Sequence, residues 1–339
     1  MTSDHSSAHP WRGPHYRHGR FFNPDTPRQR FSEFFKWVTS RKPGPWREII
    51  PSIPGPPPPP RVESDSLRIT FVNHATFLIQ TRGLNFVTDP VWSERASPVS
   101  FAGPKRHRAP GIQFHDLPRI DAALLTHNHY DHCDVPTLRN LAARDNPAIF
   151  CPIGLTPLLR RAGFREIYEL DWWQQIEWRG LAVRCMPAQH FASRGPFDRN
   201  RTLWCGFALD TPSGAIYFAG DSGFGTLFDE IARELPRIRL AMLPIGAYAP
   251  EWFMGPIHMT PEQALEAHAI LCPAVSIATH FGTFALADDG EADPIVRLRA
   301  ALEGSSHGPA FWIMSEGEGR EIPLVSDHKA ASEDQHCCG

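Results

Sequence analysis

The sequence predicts a layered α/β domain with β-sheets in the interior and helices outside. First, strand-like apolar runs succeed one another from Leu67 to about Val325, with helix-like stretches between them. Second, 42% of the 339 residues are hydrophobic and 21% are charged, enough apolar material for a sizeable core. Third, no run of about 18 or more apolar residues occurs, so the apolar material belongs to a packed interior rather than a membrane-spanning helix.

Taken in order, residues 1–65 are rich in Pro, Arg, His and Ser and include an uninterrupted proline run at 56–60. Such a stretch is stiff and extended and reads as a spacer arm. Within it Phe31, Phe34, Phe35 and Val38 recur at helical spacing, flanked by Arg30, Lys36, Arg41 and Lys42. That pattern predicts a short basic amphipathic helix of the kind that lies in a membrane interface. The main domain is expected over 66–326. Its strands are predicted at 67–72, 77–80, 85–88, 122–126, 148–151, 181–186, 203–209, 215–219, 240–243, 275–278 and 311–314. Helices are predicted at 136–143, 156–162, 227–235, 261–271 and 294–302. The start of the fourth helix is marked by Thr260 as cap, Pro261 at the first helical position and Gln263 completing a capping box. Residues 327–339 close the chain as a polar tail expected to be disordered. No short-period repeat is present, which excludes a solenoid.

Charge and cysteine content narrow the function classes. With 34 Lys+Arg against 37 Asp+Glu the net charge is -3, without the basic footprint of a nucleic-acid binder. Seven Cys in a chain of this length exclude a disulfide scaffold. Cys133, Cys151, Cys185, Cys205 and Cys272 lie in or beside apolar runs, where a thiol acts as a small hydrophobe. Cys337 and Cys338 sit in the polar tail. The N-terminus lacks an apolar stretch behind a basic start, so the expected location is the cytoplasm.

The 17 His direct attention to metal ligands. In His127-Asn128-His129-Tyr130-Asp131-His132, four ligand-type side chains fall within six residues, directly after an apolar strand-like run. Such a turn can aim two imidazoles at one ion and the Asp and third His at another; imidazole and carboxylate are the usual ligands of catalytic Zn²⁺. Three more apolar runs end on ligand-type residues: His190, Asp221 and His280. A sandwich gathers such strand ends at one rim, so the set of seven converges on one site.

The sequence resembles the metallo-β-lactamase superfamily and, within it, the N-acyl-phosphatidylethanolamine-hydrolysing phospholipase D family with its bacterial relatives. The resemblance rests on GRFFNP (19–24), NHATFLI (73–79), TDPVWSERASP (88–98), GPKRHR (103–108), HNHYDH (127–132), ELDWW (169–173), FAGDSG (218–223), PIGAYAPEWFM (244–254) and HFGTFALA (280–287). It implies an αββα sandwich with a binuclear zinc site at one rim. His127, His129 and His190 match the ligands of the first Zn²⁺, and Asp131, His132 and His280 those of the second. Asp221 matches the bridging carboxylate. The implied activity is hydrolysis of N-acyl-phosphatidylethanolamine or a related phospholipid by a metal-bridged hydroxide, giving phosphatidic acid and an N-acylethanolamine-like alcohol. Asp131 would position the nucleophile, and His258, in an H-x-x-P-E-x-A context, would assist the leaving group. His74 reads as a residue that supports a ligand or forms the turn rather than as a ligand, and Trp172, Trp173 and Trp178 as core aromatics. Phe191 and Phe281 depart from the Trp expected in the animal enzymes. The implied partners are a phospholipid and a membrane surface held peripherally, without nucleic acid; a homodimer is compatible with the sequence. The competing readings are a lactonase or ester/thioester hydrolase of the same fold, as in a sugar-phosphate lactonase branch, and a metal- or lipid-binding module without catalysis.

Overall fold

The β-branched and aromatic runs pair into two sheets whose facing surfaces make the interior. The computed structural model describes residues 14–24, 31–51, 54–305 and 310–324. The N-terminal part holds a hairpin of β1 (Tyr16–Arg17) and β2 (Arg20–Phe21), then α1 (Phe31–Ser40). The first half of the domain runs β3 (Leu67–Asn73), β4 (Thr76–Thr81), β5 (Leu84–Thr88), β6 (Ala122–Leu124), α2 (Val135–Arg144), β7 (Ala148–Pro152), α3 (Thr156–Ala162) and β8 (Ile167–Leu170). The second begins with β9 (Gln175–Trp178), β10 (Leu181–Met186), β11 (Gly206–Asp210), β12 (Ala215–Phe218), α4 (Leu227–Glu234) and β13 (Ile238–Pro244). It ends with α5 (Glu251–Met254), α6 (Pro261–Leu271), β14 (Val275–Thr279), α7 (Asp293–Glu303), β15 (Phe311–Trp312) and β16 (Gly319–Glu321).

Among the described residues, one sheet has the order β16-β3-β4-β5-β6-β7-β8 and the other β15-β14-β13-β12-β11-β10-β9. Each is built alike: an antiparallel meander (β3-β4-β5; β9-β10-β11-β12) continues into parallel strands. Alternation along each strand sorts side chains into layers. Phe77, Phe86, Leu124 and Phe150 face inward against Phe207, Tyr217 and Met242, whereas Leu78, Val87, Ala123 and Ile149 face outward onto Leu138 and Leu141 of α2 and Leu159 of α3. Strands buried on both faces read as continuous apolar runs, as the sequence had them. The expected αββα sandwich is the observed one.

Differences fall where the pattern is polar. Strands β8, β9 and β16 were not expected; all three are outermost strands and carry charged or polar residues on an exposed face. The run expected at 203–209 begins pairing only at Gly206.

The arm is not a free spacer in its described part. Carbonyls of Pro59 and Pro60 accept hydrogen bonds from the buried amides of Gln80 and Asn85, 2.7 and 2.9 Å. Proline leaves its carbonyl available, and those carbonyls serve two polar groups that a sheet interior would otherwise strand. Further along, Arg41 Nε donates to Asp288 at 2.8 Å and Trp46 Nε1 to the Asp289 carbonyl at 2.9 Å. The helix expected near Phe31–Val38 is present, but its apolar residues divide: Phe34 and Trp37 pack on Phe253, while Phe35 and Val38 face solvent. Four of the five named core-region thiols are buried and Cys272 is half-buried. The tail at 327–339, with Cys337 and Cys338, lies outside the described residues.

The capping box at the start of α6 forms as the sequence specifies: the Thr260 hydroxyl accepts from Gln263 N and the Gln263 side chain accepts from Thr260 N. Thr260→Ala is expected to lower the unfolding free energy by about 1 kcal/mol, measured by denaturant titration.

Candidate metal centre

The strand ends meet at one rim. β5 and β6 pair in parallel register, Thr88 opposite Leu124, so Asp89 emerges beside the turn that carries His127 to His132. In that turn the backbone N–H groups of His132 and Cys133 both donate to the His129 carbonyl, 3.2 and 2.7 Å. The chain beyond β10 brings His190, that beyond β12 brings Asp221, and that beyond β14 brings His280. The two sheets are joined here by backbone bonds, His280 N to His74 O at 2.9 Å and Cys205 N to Thr126 O at 3.0 Å. One glycine is dictated by this closeness: a Cβ on Gly246 would lie 2.1 Å from the His280 carbonyl oxygen.

Ligand atoms of His127, His129, His190 and Asp221 all lie within 4.8 Å of one another, as do those of His74, Asp131, His132 and His280, and those of Asp221, His258 and His280. All seven residues expected as ligands are therefore brought together. Asp221 Oδ2 stands between the sets, 3.6 Å from His190 Nε2, 3.9 Å from His127 Nε2, 3.2 Å from His132 Nε2 and 3.1 Å from His280 Nε2. His258 adjoins both, its ring 5.0 Å from that of His190 and 5.2 Å from that of His280. His74 stands behind a ligand, one of its two expected readings, with Nε2 3.0 Å from Asp131 Oδ2.

Burial dominates the electrostatics. It pushes His127 and His190 well below the usual imidazole range and His129 down to about 4, so their lone pairs are free at neutral pH. Burial would raise Asp131 and Asp221, but the His132 charge together with hydrogen bonds from His132 and His280 outweighs it and holds both well below the usual carboxylate range. Conversely, burial opposes the charge on His132 and His280. Asp221 and Asp131 overcome it, lifting His132 well above its ordinary value and His280 to about 9. Without metal the centre is thus an ion-pair cluster. One of its buried oxygens, Asp221 Oδ1, has no hydrogen-bond partner. Neutral imidazoles, ionised carboxylates and an orphaned carboxylate oxygen are what a pair of divalent ions requires, so the residues fit a metal.

Outer contacts fix the lone pairs. Asp89 accepts from Thr126 N and from the Thr126 hydroxyl, both at 2.7 Å; that hydroxyl must then accept from His127 Nδ1, 2.9 Å away, leaving His127 Nε2 as a ligand atom. Asp89 Oδ2 also accepts from His132 Nδ1 at 2.7 Å, and the Ile257 carbonyl accepts from His190 Nδ1 at 2.9 Å. One carboxylate therefore orients a histidine of each set. Sequence reasoning passed over it, and over Arg194, which stacks 4.0 Å over Tyr130 and donates to the Asn128 and Cys133 carbonyls at 2.8 and 2.7 Å. His74, Asp89 and His280 all have positive φ, at 48, 31 and 59°. Such backbone is costly for non-glycine residues and is kept where surrounding contacts impose it. Of the tryptophans, Trp178 packs in the core, Trp172 stacks on His15 at 4.2 Å, and Trp173 is exposed.

Comparison with known proteins agrees with this geometry. Residues 84–281 match the model of the beta-lactamase superfamily domain. An N-acyl-phosphatidylethanolamine-hydrolyzing phospholipase D of Caenorhabditis elegans is 40% identical over 63% of the chain, which spans 64% of that protein's length. An uncharacterised protein of Mycobacterium tuberculosis is 36% identical over 86% of the chain and 80% of its own length. Among solved structures, a metallo hydrolase of the archaeon Ignicoccus hospitalis superposes with a TM-score of 0.57 at 22% identity, covering 77% of this chain and 100% of that one.

Asp89→Asn keeps the shape but replaces an oxygen acceptor by an amide that cannot serve both histidines. Metal affinity is expected to fall about 10- to 100-fold, read from competition with a chromogenic chelator.

Proposed function

The chain belongs to the beta-lactamase superfamily domain family, and on that premise we propose that it is a zinc-dependent phosphodiesterase of the phospholipase D type. Its substrate would be N-acyl-phosphatidylethanolamine or a related phospholipid, its products phosphatidic acid and an N-acylethanolamine-like alcohol. The observation that carries this reading is the union of polar floor and apolar walls in one cavity of about 290 Å3. His129, Asp131, Asp221, His258 and His280 line it together with Phe34, Trp37, Phe253 and Leu286. A phosphodiester attached to an acyl chain suits such a space. Similarity to the nematode enzyme points the same way.

His127, His129 and His190 would hold one ion, Asp131, His132 and His280 the other, and Asp221 both. When bound, the ions supply a water of lowered pKa and positive charge for the phosphoryl oxygens. Asp131, ionised and oriented by His74, accepts a hydrogen bond from the attacking water and aims its lone pair at phosphorus. As the new P–O bond forms, the bond to the alcohol oxygen breaks and the alcohol leaves with a proton, one water being consumed. His258, held neutral by burial with its pKa down to about 3, assists that oxygen by hydrogen bonding rather than by a stored proton. Catalysis belongs to residues 66–326, with the 1–65 arm contributing Phe34 and Trp37 to the cavity wall.

No helix among the described residues is long and apolar enough to cross a membrane. Beside the cavity, Phe35, Val38 and Trp252 are 63, 47 and 48% exposed, and the Lys36 ammonium lies 4.6 Å from the Trp252 ring centroid. This apolar rim with its cations would rest on the bilayer from the cytoplasmic side, peripherally.

Incubating zinc-loaded protein with a phospholipid panel, a lactone and a thioester, with products identified by mass spectrometry, tests the reaction class. Phosphatidic acid is the expected product, and hydrolysis of the lactone or thioester alone would reject the reading. Two zinc equivalents per chain are expected, and Asp131→Asn should cut turnover by at least about a hundredfold with the fold retained by circular dichroism.

Replacing Phe35, Val38 and Trp252 together with Ser should release the protein from anionic vesicles by about tenfold or more, as three apolar side chains lose their burial. Turnover of a soluble short-chain diester should persist. Loss of both activities together with thermal stability would assign these residues to packing instead.

A further inference from the structure

A second groove of about 620 Å3 adjoins the metal cavity, and it is lined differently. Arg17 and Arg20 of the hairpin and Arg199 of the segment after His190 face it, and among the described residues no Asp or Glu lines it. Phe191, Arg199 and Ile257 belong to both spaces, so they form the partition between groove and metal centre. The Arg199 guanidinium lies 4.2 Å from the Phe191 ring centroid, and that ring is 4.4 Å from the ring of His129.

The partition is held from the arm. The Arg20 guanidinium donates to the carbonyls of Arg199 and Phe197, Phe21 N donates to the Asn200 carbonyl at 2.8 Å, and Asn200 Nδ2 donates back to the Phe21 carbonyl at 3.1 Å. Asn23 Nδ2 donates to the carbonyl of His190 itself at 2.8 Å. Hairpin and loop are thus fixed to each other and to a metal-site histidine. A guanidinium such as that of Arg199, held beside a centre built to hold divalent cations, repels them unless an anion lies between. Arginine is suited to that task, because its planar fork matches the oxygens of a phosphate.

We propose that this groove is an anion subsite for a phosphomonoester, with Arg199 as its recognition residue and Arg17 as its second cation. The identity of the anion rests on the phosphodiesterase reading. Hydrolysis turns a singly charged diester into a monoester whose second ionisation falls near pH 6, and the extra charge is what a groove of arginines would favour over the substrate.

The test measures binding rather than turnover. Inorganic phosphate and soluble dihexanoyl phosphatidic acid are titrated into metal-free and zinc-loaded full-length protein by calorimetry. In the metal-free protein both are expected to bind, and Arg199→Gln and Arg17→Gln should each weaken binding about tenfold, as loss of a charge-assisted contact implies. Arg199→Lys should recover part of that loss, with melting temperatures unchanged in all variants. Tighter binding of the lipid than of phosphate identifies a headgroup as the natural occupant; equal binding identifies free phosphate. Affinities untouched by the substitutions, or binding seen only with zinc, overturn the subsite. Arginine-dependent binding in a protein that hydrolyses no phospholipid would leave the subsite standing and remove the phosphodiesterase reading. Hydrolysis without arginine dependence would do the reverse.

Discussion

The structure is organised around a buried concentration of charge: seven histidines and two aspartates whose ligand atoms interlock at one rim of the sandwich. Groups of this kind are expensive to take out of water, and unpaired they would shift their protonation until neutral. Here Asp131 and Asp221 are held ionised while His132 and His280 are held protonated, so the metal-free centre survives as mutual ion pairs. A metal pair would take over the role of those protons. Since ligands must be deprotonated to bind, loading the centre releases protons, and affinity falls as the pH drops.

That charge has to be supported, and the support explains features that otherwise look incidental. Asp89 at the end of β5 and Thr126 after β6 act as one unit that presents His127 and His132 with their Nε2 atoms inward. Parallel pairing of β5 with β6 brings the two together, so sheet topology and ligand tautomer are linked. Backbone bonds across the rim, His280 N to His74 O and Cys205 N to Thr126 O, join the sheets where the ligands gather. The positive φ angles of His74, Asp89 and His280 are the local expense of that convergence.

What the sequence made legible follows from the same physics. His127 to His132 could be read directly because four ligands share one turn, and Asp221 and His280 because each ends a run apolar on both faces. Asp89 was silent: its role exists only once two strands separated by more than thirty residues have paired. Arg194 was silent for the same reason, being a lone cation sixty-odd residues from the turn it staples. The proline run was misread because composition reports stiffness but not where the carbonyls point; Gln80 and Asn85, buried in strands, needed acceptors, and the run supplies them. Strands β8, β9 and β16 escaped because an exposed face admits charge, and alternation over three or four residues is too short to separate from a loop. The helix at Phe31–Ser40 lies where expected, with Phe35 and Val38 of its apolar face left exposed. Only the stack of Trp37 on Phe253 shows which side is buried.

The arm reaches both spaces. Its helix supplies Phe34 and Trp37 to one wall of the metal cavity, and its hairpin places Arg17 and Arg20 in the groove on the other side of Phe191 and Arg199. The space beside the metal centre is therefore polarised by a segment that belongs to neither sheet, apolar on one side and cationic on the other. The sandwich determines where the metal donors stand, and on the proposed reading the arm would determine how a substrate enters. Two chains with the same rim histidines and different arms would then be expected to act on different molecules.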